Sequence, residues 1–184
     1  AFKKFQKEKF YQLKLNNYLK NIQVDRTSPE FKQHLRQKFI DTAHKYIGVP
    51  YAKKFHEPGD KLYDAPLFID CCALVRQCIF DLRQEFGYTL GKWNQSYQFD
   101  LLPDEGLTLK DLKPGDLIFY SATYSNPKLK PFPHRMVHVE IYLGEGRTIG
   151  ARWQKGTIQV FDDYQFKSNL YHDIECHFRS IDSW

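Results

Sequence analysis

Asp70-Cys71-Cys72-Ala73-Leu74-Val75-Arg76-Gln77-Cys78-Ile79-Phe80-Asp81-Leu82 is the stretch on which the fold turns. Leu74, Val75, Cys78, Ile79 and Leu82 recur at three- and four-residue steps, which predicts a helix from Cys71 to Phe86 with one buried face and Gly87 as its stop. Cys71 then stands in the first turn of a helix. Toward the N-terminus, Ser28-Pro29-Glu30 is a helix start, with Ser as cap and Pro at the first helical position. Phe31, Leu35, Phe39, Ile40 and Ala43 form the apolar face of that helix, which should end near Gly48-Val49-Pro50. Phe55 to Pro66 reads as a loop. Past Gly106 the spacing changes to short apolar runs typical of strands: Leu117–Tyr120, Val137–Leu143, Thr148–Trp153, Thr157–Phe161 and Ile174–Phe178. A Pro- and Lys-rich loop, Tyr124 to Pro133, interrupts them. Helices first and strands afterwards define an α+β domain, an antiparallel sheet with helices on one face, since βα units would interleave the two.

With 184 residues, 42% hydrophobic and 16% aromatic, the chain is long enough for one substantial core. The expected organisation is a basic helical arm over residues 1–27 and a single domain over 28–184. In the arm, Phe2, Phe5, Leu15, Tyr18, Leu19 and Ile22 mark an amphipathic helix. Residues 1–22 hold six lysines against Glu8, so the whole net charge of +5 resides there and the rest of the chain is neutral. Such an arm suits an acidic surface of a protein, nucleic acid or membrane, although a solvated helix face explains it equally well. There is no nucleic-acid-binding motif and no apolar run of the length a membrane span needs. Cys71, Cys72, Cys78 and Cys176 fit neither a disulfide framework nor a common zinc spacing. Reduced thiols suit an intracellular compartment, cytoplasmic or cytoskeletal.

A cysteine in the first turn of a helix sits among unsatisfied backbone N–H groups and at the positive end of the helix dipole, both of which favour thiolate over thiol. His138, heading an apolar strand, is the imidazole placed to pair with it and later protonate a leaving amine. Taken singly, a buried cysteine is more often inert packing and a strand histidine more often structural. His134 and His138 have the spacing of two metal ligands on a helix, but Pro131 and Pro133 exclude that helix, so no metal site is expected. Cys176-His177 with His172 is a second tempting cluster, read as structural because strand neighbours point to opposite faces.

Four short motifs in order change the weight of the Cys–His pair. Tyr46-Ile47-Gly48-Val49-Pro50-Tyr51, Asp70-Cys71-Cys72-Ala73-Leu74-Val75, Pro114-Gly115-Asp116-Leu117-Ile118-Phe119-Tyr120 and His138-Val139-Glu140-Ile141-Tyr142-Leu143-Gly144-Glu145-Gly146 stand in sequence. They resemble the Y-L-G-x-P-Y, D-C-S-G-L-V, P-G-D-L-V-F-F and H-V-G-I-Y-x-G-x-G motifs of the NlpC-type cell-wall peptidases, a papain-like family. The resemblance implies that Cys71 is the nucleophile and His138 the general base and acid. It also implies that Tyr51 lines the cleft, that the Cys71 backbone N–H contributes to an oxyanion hole, and that no cofactor is required. Cys72 stands where the family has Ser. Cysteine before histidine is the opposite order to the related permuted acyltransferases, which argues against lipid acyl transfer.

Three departures accompany the likeness. Twelve positions after the histidine the family has a polar residue, often His, and here stands Gly150, with Arg152 and Gln154 as nearby substitutes. The W-G-G-like segment after the family's Tyr is replaced by Ala52-Lys53-Lys54-Phe55, so the subsites should differ. Glu140 replaces a small Gly, on the same side of the strand as His138, where it either holds the imidazolium, lines the pocket or faces solvent. Trp93, Asn94, Gln95, Tyr97 and Gln98 occupy the place of a Gln-containing segment beside the family's cleft, where they contact a peptide or pack beneath the loop. The cleft-lining or orienting candidates are thus Tyr51, Asp70, Gln98, Glu140, Arg152 and Gln154. The expected activity is hydrolysis of a peptide or other amide through a thioester; transfer to another acceptor shares its first half. The alternative is a silent domain of this fold, a binding module docked by the basic arm. For a bacterial source the resemblance implies peptidoglycan stem peptides as substrate.

Overall fold

In the computed structural model, residues 25–51, 69–91 and 94–184 are described. The helix expected over residues 1–22, the loop from Phe55 to Pro66 and Trp93 lie outside them. The chain divides into two units, Ala1–Leu35 and Arg36–Trp184. Ser28 Oγ accepts the Phe31 N–H at 3.2 Å, capping helix α1 (Pro29–His44) where Ser-Pro-Glu predicts its start.

In the second unit, helix α2 (Cys71–Asp81) starts where Asp70 caps it: the carboxylate accepts the Ala73 N–H at 2.8 Å. The one helix expected over residues 71–86 is two, because Leu82 leaves the helical basin (φ −99°, ψ 22°) before α3 (Arg83–Phe86) resumes and Gly87 ends it with φ of +82°. Helix α4 (Gln95–Asp100) follows, with the Asn94 side chain accepting the Ser96 N–H at 3.0 Å.

Each expected strand is present: β1 (Leu117–Tyr124), β2 (Met136–Gly144), β3 (Arg147–Ala151), β4 (Ile158–Phe161) and β5 (Tyr171–Arg179). They form one antiparallel sheet in the order β4-β3-β2-β1-β5. Alternation divides its faces. Leu117, Phe119, Val139, Ile141 and Ile149 are fully buried on the helical side, where Phe99 of α4 meets Phe119 edge-to-face at 5.4 Å. On the other side Ile118, Tyr120, Ala122 and Tyr142 pack with Leu112, Tyr164 and Phe166. The second face therefore carries a core of its own, supplied by loop residues.

The Pro114-Gly115-Asp116 turn anchors the sheet. Asp116 is buried and accepts the N–H groups of Lys113 (2.8 Å) and Ile181 (3.1 Å). It also pairs at 2.6 Å with Arg36, whose guanidinium reaches Asp182 and Ser180, both at 2.9 Å. Gly115 has φ of +95°, and a Cβ there would meet the Arg36 Cβ at 3.2 Å, so this motif glycine is required twice over.

Candidate active site

The Asp70 cap fixes the first turn of α2 and with it Cys71. Asp70 also accepts from Cys72 Sγ at 3.3 Å, so it holds the turn and does not face outward as a ligand group. Gln98, fully buried on α4, donates to the Cys72 carbonyl at 2.9 Å, and Gln95 donates to the Met136 carbonyl at 2.9 Å. Helix α4 thus ties the cysteine turn to the first residues of β2. Gln98 positions the turn from behind.

Cys71 is buried. A hydrogen bond with Cys72, burial, and the charges of Cys72 and Asp70 push its thiol well above the usual range, while the Val139 amide facing it pulls the other way. The expected helix-dipole stabilisation of a thiolate is therefore outweighed by the neighbours. Val139 is the residue after His138 on β2. Three phenols sense Cys71: Tyr51, Tyr124 and Tyr171 are each raised by burial first and by the Cys71 charge among the further causes, Tyr171 to about 12. Tyr51 hangs from the Gly156 carbonyl by its N–H at 2.8 Å and meets the exposed Trp153 edge-to-face at 6.0 Å. Tyr124 and Tyr171 are register partners on β1 and β5, with ring centroids 5.5 Å apart.

His138 is buried between Tyr120 (5.4 Å) and Phe166 (5.1 Å). Its Nε2 lies 2.9 Å from Glu140 Oε1. Glu140 is 1% exposed. Burial alone would raise its carboxyl, but hydrogen bonds and charge from His138 and Arg152 overcome this and hold it at about 2. Arg152 grips both oxygens, Nε to Oε1 at 2.7 Å and Nη2 to Oε2 at 3.0 Å, lies 3.8 Å over the Phe161 ring, and is itself held by the Asp163 carbonyl at 2.7 Å. Thr148 Oγ1 also donates to Oε2. An ionised carboxylate only accepts, so Nε2 carries the proton, and Nδ1 is left as the basic nitrogen of the neutral ring.

Gly150 explains how this cluster fits. A Cβ on Gly150 would lie 2.8 Å from Glu140 Cγ and 3.2 Å from Cδ, so only glycine leaves room for that side chain. Glu140 faces neither solvent nor an open pocket.

The sequence candidates thus sort by position. Glu140 and Arg152 join His138, Tyr51 stands near Cys71, and Asp70 and Gln98 brace the cysteine turn. Gln154 is exposed and donates to Ser168 Oγ at 2.7 Å, apart from the cluster. His134 is exposed and pairs with Asp100 at 2.7 Å. Cys176 packs on the Tyr120 face while His177 lies 2.8 Å from Ser121 Oγ on the other, as strand alternation required. Tyr124, Tyr171, Thr148 and Phe166 escaped the sequence reading. Only the strand register, which places Tyr124 opposite Tyr171, gives a signal for any of them. All four cysteines are free, and among the described residues no group of three or more His, Cys, Asp or Glu side chains is arranged to hold a metal.

A cysteine opening a helix that packs on an antiparallel sheet, with a backed histidine on the adjoining strand, is the papain-like architecture. The chain belongs to the NlpC/P60 family, whose model matches residues 61–174. Gamma-DL-glutamyl hydrolase of Bacillus subtilis (strain 168) is 31% identical over 132 residues. That match takes in 71% of this chain but only 27% of the relative, so the chain spans about a quarter of that protein's length. Among solved structures, the peptidoglycan hydrolase RipB of Mycobacterium tuberculosis is similar with a TM-score of 0.55 at 20% identity, over 84% of this chain and 68% of that one. RipD of the same organism, described as a non-catalytic NlpC/p60 domain protein adapted to peptidoglycan binding, gives 0.54 at 15% identity, over 80% of this chain and 97% of its own. Both structures share the fold.

Proposed function

We propose that this chain is a cysteine hydrolase that opens an amide bond through a thioester on Cys71, with His138 as general base and then general acid, and that its substrates are γ-linked glutamyl peptides. The observation that carries the reading is the placement of Cys71 in the capped first turn of α2, a turn that Gln98 and Gln95 of α4 tie to β2, the strand that carries His138. As a substrate carbonyl arrives, the Sγ–H proton passes to Nδ1 while sulfur bonds to the carbonyl carbon. The Cys71 backbone N–H steadies the oxyanion, the imidazolium returns the proton to the departing nitrogen, and water resolves the thioester. Tyr51, Tyr124 and Tyr171 wall the approach. The γ-glutamyl choice follows the Bacillus relative. The domain over residues 28–184 carries this chemistry, and the basic arm over residues 1–27 docks it on an acidic surface.

A second reading has its own support: the thiol is pushed up, not down, and a non-catalytic member shares the fold. In that reading the domain binds the same peptide without turnover. The test is incubation of the full chain with a γ-D-glutamyl tripeptide and its α-linked isomer, read by mass spectrometry. Selective cleavage of the γ isomer, abolished in Cys71→Ala, is the expected result. Saturable binding of the γ isomer with no cleavage at any pH between 5 and 9 would sink the hydrolase reading in favour of the second.

A further inference from the structure

The residue after next on the histidine's own strand does what the neighbouring strand would ordinarily be asked to do. We propose that Glu140 is the positioning residue for His138 and that Gly150 is its obligate counterpart, the two positions having exchanged roles across the β2–β3 pair. This rests on reading Cys71 and His138 as the reacting pair.

Four observations support it. First, the Nε2 to Oε1 distance of 2.9 Å fixes the ring through one nitrogen. Second, Gly150 supplies the space: its absent Cβ would fall 2.8 Å from Glu140 Cγ, so a side chain at 150 and a glutamate at 140 exclude one another. Third, the carboxylate is built to stay in place, since Arg152 takes both oxygens and Thr148 takes one of the same pair. Fourth, Tyr120 and Phe166 flank the imidazole, leaving it little freedom to turn away from its carboxylate.

The exchange changes the chemistry as well as the address. A neutral amide or imidazole behind the ring could donate or accept, whereas an ionised carboxylate only accepts, so it fixes the proton on Nε2 and leaves Nδ1 as the acceptor for the Cys71 proton. A thiol as buried as Cys71 needs such an acceptor. Glu140 itself neither gains nor loses a proton. The proton travels from Sγ to Nδ1 and onward to the leaving nitrogen.

The test compares Glu140→Gln, Glu140→Gly, Gly150→His and the double variant E140G/G150H with the wild-type full chain. It uses the rate of Cys71 alkylation by iodoacetamide across pH, located by mass spectrometry, with near-UV circular dichroism as the check on folding. Glu140→Gln is expected to fold, to alkylate at least about tenfold more slowly at neutral pH and to shift its pH midpoint upward. If the γ-glutamyl peptide is cleaved, kcat should fall with KM little changed. Gly150→His alone should be markedly destabilised, and removing the glutamate in the double variant should restore both the fold and a substantial part of the reactivity. A Glu140→Gln profile superimposable on wild type overturns the proposal. So does a Gly150→His chain as stable as wild type, or a double variant no more reactive than Glu140→Gly. Alkylation is independent of turnover: a chain that cleaves nothing yet shows the Glu140-dependent thiol refutes the hydrolase reading and leaves this one standing.

Discussion

Replacing Arg152 by Met removes the cation that holds Glu140 while keeping an unbranched side chain to lie over Phe161. The drop of the Glu140 carboxyl from an ordinary 4.5 to about 2, at about 1.4 kcal/mol per tenfold in equilibrium constant, corresponds to roughly 3 kcal/mol in favour of the ionised group. His138 and Thr148 would still hold the carboxylate, but its burial would no longer be offset by a full positive charge. Removing one partner of a buried pair typically costs about 3–5 kcal/mol, and the remaining donors place Arg152→Met at the low end, about 3 kcal/mol near neutral pH. For a chain of this size that is a fall in Tm of about 6–12 °C. The pH dependence carries a definite sign. Because Glu140 is depressed in the folded state, its stabilisation is complete above the unfolded value near 4.5 and is lost as pH falls toward 2. In Arg152→Met burial raises the same carboxyl, which is protonated earlier, so the gap between the two proteins should be widest at neutral pH and should close on acidification. Urea unfolding followed by circular dichroism at pH 7 and near pH 3 measures both. A loss under about 1 kcal/mol at pH 7, or a gap of the same size at the two pH values, would refute the account of Glu140 as a buried anion secured by Arg152.

Replacing Cys72 by Ala removes the largest cause of the raised Cys71 thiol. Since reactivity gains from added thiolate are partly offset by lower nucleophilicity, alkylation at neutral pH should quicken by about threefold for each unit the thiol falls; an unchanged or slower rate would contradict the assignment. Asp116→Ala takes one of two carboxylates from the buried Arg36 and leaves the Lys113 and Ile181 N–H groups without their acceptor, and should cost about 3–5 kcal/mol in urea unfolding, with Asp116→Asn falling between it and wild type. A loss below about 1 kcal/mol would show that the turn is held by other contacts.

Much of this architecture was legible in the sequence. Short apolar runs mark all five strands, most plainly β1 and β2, which are buried on both faces over most of their length, and Ser-Pro-Glu and Asp70 signal helix starts through capping chemistry that is local. Helix α4 leaves little trace in the sequence, since Gln95–Asp100 is short and Gln95 and Gln98 anchor it to the distant Met136 and Cys72 carbonyls. The break at Leu82 left no Gly or Pro to betray it. The site was half legible. Cys71 and His138 stand in motifs, but Glu140 and Gly150 appeared as two separate departures, one gained carboxylate and one lost polar residue. Strand register unites them: Ile141 pairs with Ile149, which sets residues 140 and 150 opposite each other. One-dimensional spacing cannot show that a glycine on one strand is the space for a glutamate on the next. The raised Cys71 thiol was equally hidden, because the helix dipole is a local expectation while burial and the Cys72 contact are products of packing.

The sheet order has a consequence for how the protein comes into being. β1 leads the strands and β5 comes last among them, yet the two are neighbours, so β1 has only one of its edges paired until residues 171–179 are available. Pairings between segments far apart in sequence form late and slowly, because the intervening chain must be ordered before contact repays it. Tyr171 rides on that final strand and Tyr124 waits for it on the first. The Tyr124–Tyr171 pair is therefore assembled late, after the Cys71 turn and His138 have already been synthesised.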